Sequence, residues 1–143
     1  MKNINSSIVE AKFKRSKLNL NKTKLWNMLT IEKKKYIIDK TKLIDSDQNI
    51  ICYYPNDKYW WLITNNHLVT FNNEKILFIK LFDISKIEIM SNIKYTDSNE
   101  AFIYIFSNHT QVELRIEKNS WTIIIEILKF ITSSNFNIIS KDN

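Results

Sequence analysis

Two histidines, one cysteine and fifteen carboxylates are the residues of this 143-residue chain that could support acid–base, nucleophilic or metal chemistry. His67 and His109 both fall where turns are expected. No HxxxH, CxxC or HExxH spacing joins either of them to a second ligand, so no metal centre is expected. Glycine is absent altogether, which excludes a Gly-rich phosphate loop and a G-x-S-x-G nucleophile elbow. Cys52 lies inside the apolar run IICYY, where a small buried thiol is the expectation. The acids are scattered singly, and Glu88, Glu113 and Glu117 fall on outward-facing strand positions. No catalytic residue and no cofactor are expected, and the chain does not read as an enzyme.

What remains is aromatic and basic. Trp60 and Trp61 could stack on bases if a sheet face were open. Neighbouring residues in a strand point to opposite faces, so at most one of them is buried in a given core. The other is either covered by an N-terminal helix or exposed as a contact surface, and cover is the expectation. The bases cluster at Lys12, Lys14, Arg15 and Lys17, at Lys22 and Lys24, and at Lys33, Lys34 and Lys35. Residues 1 to 44 hold twelve Lys and Arg against three acids, whereas residues 45 to 143 hold nine against twelve. An acidic partner surface fits that asymmetry. A coding bias toward Lys, Asn and Ile accounts for it equally well and would leave the lysines solvated. Nucleic acid is not expected, because the sheet-forming part of the chain is acidic.

The elements that must position these residues are mostly strands. With 44% apolar and 13% aromatic residues the chain can bury one core of ordinary size. Seven strands are predicted, near 49 to 54, 59 to 64, 68 to 71, 76 to 82, 87 to 95, 100 to 107 and 111 to 117. Asn65-Asn66, Asn72-Asn73 and Asn108 are the expected hairpin turns, because Asn is the best substitute for Gly where φ is positive. Pro55 to Lys58 reads as a further turn.

A helix capped by Asn119 or Ser120 follows, with Trp121, Ile124, Ile125, Leu128 and Ile131 on a sheet-facing stripe and Trp121 buried. A second apolar row, Ile123, Ile127 and Phe130, exceeds what one sheet-facing stripe requires and should be covered by the N-terminal helix or by another molecule. An N-terminal helix is predicted from Thr23 to about Asp39, with a break near Thr30 allowed. Residues 1 to 20 are expected to be partly ordered, and the tail after Asn135 shows no strong pattern.

Seven short strands followed by one amphipathic helix is the element order of the pleckstrin-homology-like fold. "ITNNHLVTF" followed by "IKLFDISKIEI" resembles the strand-turn-strand pattern of bacterial PH and GRAM domains. Ile63, Thr64, Leu68 and Val69, then Ile79, Leu81, Ile84, Ile87 and Ile89, take the matching apolar and Thr positions. The resemblance covers roughly residues 43 to 133 and implies an α+β, mainly β fold: a bent antiparallel sheet closed by a C-terminal helix, with an N-terminal helical extension. His67 stands where that family usually carries Arg or Lys. The first hairpin loop, Pro55-Asn56-Asp57-Lys58, has one base and one acid rather than the cluster of bases that phosphoinositide recognition uses. The resemblance therefore implies a binding scaffold without implying phosphoinositide recognition, and the fold alone does not supply the ligand.

The organisation expected is a basic extension over residues 1 to 44, a PH-like domain over 45 to 135 and a tail over 136 to 143. No secretory signal and no apolar stretch of membrane-spanning length is read, so a cytoplasmic protein without disulfides is expected. The first functional expectation is recognition of a protein partner, homo-oligomerisation included. It would run through Lys12, Lys14, Arg15, Lys17, Lys33, Lys34 and Lys35 together with Ile123, Ile127 and Phe130. The alternatives are a peripheral module for anionic lipid that uses the basic extension, and a small inhibitor or immunity-type protein.

Overall fold

The computed structural model describes residues 5–42, 48–90, 100–108, 110–132 and 135–139. It is α+β and mainly β, in two compact units, residues 1–78 and 79–143. In the first unit, α1 (Ser6–Arg15), β1 (Thr23–Leu25), a 3-10 turn (Trp26–Met28) and α2 (Ile31–Thr41) precede β2 (Asn49–Asn56), β3 (Tyr59–Thr64) and β4 (His67–Asn72). β5 (Lys75–Lys80) completes a sheet of order β1-β2-β3-β4-β5.

The expected helix over Thr23 to Asp39 is corrected by these elements. Thr23, Lys24 and Leu25 pair antiparallel with Tyr53, Cys52 and Ile51 as an edge strand. The α-helix starts only after Thr30, at the break the sequence allowed. Thr30 is extended (ψ 154) and its Oγ1 accepts from Lys33 N at 3.2 Å. That capping bond satisfies one of the first-turn amides that a helix leaves unpaired. At the other end Lys42 turns left-handed (φ 54) and its N–H reaches Ile38 O at 2.8 Å. Ahead of these elements, α1 is capped by Asn5, whose Oδ1 accepts from Ser7 N at 3.1 Å.

Both faces of β2 and β3 are buried. On one face Cys52, Tyr54, Trp60, Leu62, Val69 and Phe71 join Leu29 and Ile37 in a core, with Trp26, Tyr36 and Ile76 packed at its margin. Trp60 is therefore covered by α2 and the turn before it, as the sequence led one to expect. Its ring stacks on Phe71 at 5.0 Å and 4° and on Tyr54 at 6.5 Å and 13°. On the opposite face Trp61 meets Tyr53 at 5.9 Å and is equally buried.

The turns depart from expectation. Asn65 and Asn66 have no positive φ. Thr64 builds that bend instead, its Oγ1 accepting from Asn66 N at 3.1 Å and His67 N at 2.9 Å. In the next hairpin the left-handed pair is Asn73 (φ 47) and Glu74 (φ 69), one residue later than expected. Between β2 and β3, Pro55 belongs to β2, beside a register shift, and the turn is formed by Asn56, whose Oδ1 accepts from the N–H groups of Lys58 and Tyr59.

The second unit holds β6 (Ile84–Met90), β7 (Glu100–Ser107), β8 (Gln111–Glu117), α3 (Trp121–Thr132) and β9 (Asn135–Ile139). The sheet order is β8-β7-β6-β9. β9, in the tail that showed no pattern, runs parallel to β6, while the other pairs are antiparallel. Residues 91–95 of the strand expected to reach Tyr95, and His109, lie outside the described residues. α3 is preceded by a 3-10 turn, Lys118–Ser120, in which Ser120 Oγ donates to Glu117 O at 2.7 Å, and it packs on the 3-10 turn Leu81–Asp83. Trp121 is 41% exposed rather than buried. The buried set is Ile123, Ile124, Ile127, Leu128 and Ile131, so the inward stripe is rotated from the expected one and takes in two members of the supposed surplus row.

The Trp60 indole N–H has no acceptor within reach among the described residues, a burial cost of about 1–3 kcal/mol set against the stacking of its ring. Trp60→Ala is expected to cost about 3–5 kcal/mol, because it opens a cavity under α2. Trp60→Phe keeps a ring in the stack and deletes the unpaired donor, so its cost should stay under about 2 kcal/mol. Urea unfolding of the two variants checks the difference; equal losses would contradict the stacking account.

Candidate interaction surface

α2 has two chemically distinct sides. The inward side carries Ile37, fully buried, and Tyr36, whose ring meets Tyr54 at 6.3 Å and Phe71 at 6.4 Å edge to face. Two contacts fasten this side to the tips of two hairpins. Tyr36 OH donates to Asp57 O at 3.0 Å, and Lys40 Nζ bonds Glu74 Oε1 at 2.6 Å. The left-handed Asn73-Glu74 turn, itself tied to the first tip by Asn73 N to Lys58 O at 2.9 Å, delivers that carboxylate.

The lysines of α2 differ from one another accordingly. Lys33 Nζ lies 5.3 Å from the Tyr54 ring centroid, and Lys40 Nζ lies 5.6 Å and 5.8 Å from those of Tyr36 and Phe71. Lys34 Nζ sits 6.0 Å from the Trp26 ring. Their stems cover aromatic surface while the ammonium groups reach solvent. Lys35 is exposed.

The outward side combines Ile31, Lys35 and Ile38, at helical spacing on one face. Ile31 is 82% and Ile38 42% exposed, and Met28, just before the helix, is 70% exposed. An apolar stripe bordered by ammonium groups therefore projects from a helix whose other side is pinned. Its signal in the sequence was Ile38 seven residues after Ile31, opposite the Tyr36-Ile37 pair. It was missed because the expected helix began at Thr23 and set a different phase.

The other residues singled out by the sequence lie in different settings. Lys12, Lys14 and Arg15 are in the last turn of α1, where positive charge complements the helix dipole. Arg15 Nε donates to Ala11 O at 3.4 Å, and Lys17 follows in a left-handed conformation at φ 52. Ile123 and Ile127 are buried, while Phe130 is 44% exposed, so the three do not form one exposed row.

Ionisation states follow from burial. Burial holds the Cys52 thiol far above its usual range, only weakly opposed by Lys33, which makes it a poor nucleophile. Tyr54 is raised first by burial and then by its hydrogen bond to the Asp57 carboxylate. Tyr36 is raised by burial, partly offset by Lys40, and Lys40 is raised by its bond to Glu74. Among the described residues no three His, Cys, Asp or Glu side chains converge on a common point. The His67 ring stands edge-on to Phe78 at 5.9 Å.

No family model and no curated protein matches the chain. Among solved structures it is similar to the crystal structure of a DUF1696 family protein with a pleckstrin-homology domain from Shewanella loihica PV-4. The TM-score is 0.52 at 12% identity, over 79% of this chain and 99% of that one. The likeness shows a pleckstrin-homology-like fold. Among the described residues no helix is long and apolar enough to cross a membrane.

The raised acids fix a pH dependence. The folded state keeps protons on Cys52 and Tyr54 that the unfolded chain releases near about pH 8.5 and 10. Their contribution is therefore full below those values and is lost as pH rises through the folded pKa values. The urea midpoint should hold to about pH 8 and then fall, first with the thiol and then with the phenol. Cys52→Ala should remove the first part of the slope and Tyr54→Phe the second; a flat profile to about pH 11 would contradict both assignments.

Proposed function

We propose that this chain is a non-catalytic binding module that recognises a protein partner through the outward side of α2. The carrying observation is the exposure of Met28, Ile31 and Ile38 on an element whose inward side is bonded to two hairpin tips. Large apolar side chains held rigidly in water are ready-made contact points, since little ordering entropy remains to be lost on binding. The partner's complementary surface is an apolar depression edged by carboxylates that meet Lys34 and Lys35.

A peripheral-membrane role would use the same residues, and the arithmetic favours protein. Each lysine near an anionic leaflet is worth about 1 kcal/mol, and stable attachment takes two strong signals. Three scattered aliphatic side chains and a few lysines, some already held over aromatic rings, supply less than that. An inhibitor or immunity role is the special case in which the partner is a toxin or a host enzyme.

The test begins with capture of partners from the native cell by the wild-type chain, followed by affinity measurement with each purified partner. Ile31→Asp, at an 82% exposed position, should leave the fold intact and weaken binding at least tenfold, about 1.4 kcal/mol. Replacing Lys34 and Lys35 with Gln should weaken binding less and flatten its salt dependence. Sedimentation with phosphatidylserine vesicles should show no Ile31-dependent attachment. Ile31-dependent vesicle binding, or partner affinities indifferent to all three substitutions, would overturn the proposal.

A further inference from the structure

The outward face of the second sheet carries an aromatic row. In β7, Ala101, Ile103 and Ile105 are buried, so Phe102, Tyr104 and Phe106 share the opposite face, about 7 Å apart along the strand. Phe102 is 39% exposed, and the other two are half-buried. Beside them the register sets Arg115 and Glu113 of β8 against Phe102 and Tyr104, and Glu88 and Lys86 of β6 against Tyr104 and Phe106. Glu100 and Glu117 pair at the end of the same row. Four carboxylates and two cations thus frame three rings. Residues 79–143 hold eight acids against seven Lys and Arg, while residues 1–78 hold seven against fourteen.

The face already shows how it receives a cation. Lys86 Nζ lies 4.3 Å from the Phe106 centroid and 3.2 Å from Glu88 Oε2. One ammonium is shared between a ring and a carboxylate. Around Tyr104 the balance is anionic: its phenol is raised by burial and by Glu113, its cross-strand neighbour, through both charge and a hydrogen bond.

We infer that this face is a second docking surface, for an arginine-bearing segment of a protein partner that lays guanidinium groups over Phe102 and Tyr104. Guanidinium is the fitting cation because it stacks flat on an aromatic ring while its edge bonds carboxylates such as Glu88 and Glu113. Nucleic acid is disfavoured by the four acids. The face is distinct from α2 and opposite to it in charge, so a partner for one is not a partner for the other. A chain with both is a bridge between an acidic and a basic protein.

The probe is a capped hexa-arginine peptide titrated into the full-length protein and followed by backbone amide NMR. Shifts are expected on β6, β7 and β8, and capped hexaglutamate should leave these strands unmoved. Phe102→Leu keeps an apolar side chain but removes the ring, and should weaken binding roughly fivefold or more, whereas Phe102→Tyr should bind within about twofold of wild type. Glu113→Gln should weaken binding and reduce its salt dependence. Shifts confined to other elements, equal affinity for the Leu and Tyr variants, or equivalent shifts with hexaglutamate or a neutral hexasaccharide would overturn the inference. Phe102 is partly exposed, and an unchanged amide spectrum of each free variant establishes that its fold is kept.

Discussion

The stacked rings of Tyr54, Trp60 and Phe71 are the contact on which the first unit depends. They come from three adjacent strands, and with Trp60 nearly parallel to Phe71 and Tyr54 they form one continuous stack, a floor beneath α2, rather than three separate side chains. A floor of that kind must be roofed, because so much apolar area left in water would cost several kcal/mol. α2 is the roof. Its placement dictates which of its lysines lean on aromatic rings, which stay in solvent, and which isoleucine goes in. The buried, un-ionised Cys52 and the unpaired indole N–H follow from the same sealing.

The roof is held at its rim by turns, and the turns are shaped by the absence of glycine. Four described residues adopt positive φ, namely Lys17, Lys42, Asn73 and Glu74, and only one of them is the Asn that steric reasoning favours. Left-handed lysine and glutamate are less favourable locally, so tertiary bonding must make up the difference. For Glu74 it is visible: the strained turn carries the carboxylate that receives Lys40. Strain in the hairpin and attachment of the helix are two sides of one arrangement, and the outward stripe of Met28, Ile31 and Ile38 is rigid because of it.

How much was legible in the residues depends on the range of the forces involved. β8 could be read nearly to the residue, since Leu114 and Ile116 alternate with polar neighbours and period-two patterning is a local signal. β1 could not, because a three-residue edge strand is too short to show a period. Its Thr-Lys-Leu sequence is a strand only because β2 offers an unpaired edge. β9 was missed because it is a strand by virtue of pairing with β6, a partner far away in sequence. The phase of α3 was misread because both candidate stripes are apolar, so only packing decides between them, and it left Trp121 partly exposed. The aromatic row of β7 was legible as alternation in EAFIYIFS, yet its use as a surface depends on the neighbours that register places beside it.

The charge asymmetry acquires a different meaning once positions are known. Read along the chain, the excess of lysine in the first 44 residues looks like a basic arm. In three dimensions it is divided. Lys33, Lys34 and Lys40 lean on aromatic rings, Lys40 also pairs with Glu74, and the bases of α1 sit at a helix C-terminus. Lys40 is neutralised by its carboxylate partner; the field of the other ammonium groups is screened within about 8–10 Å at ordinary ionic strength. The recognition proposed for α2 is then short-range, through particular side chains, and a shaped protein surface suits it better than a polyanion. The same logic holds for the second sheet, where the carboxylates are spaced along a row of rings rather than gathered into one cluster. At the two proposed surfaces, complementary charge would select a partner by pattern and register, and net charge alone would not.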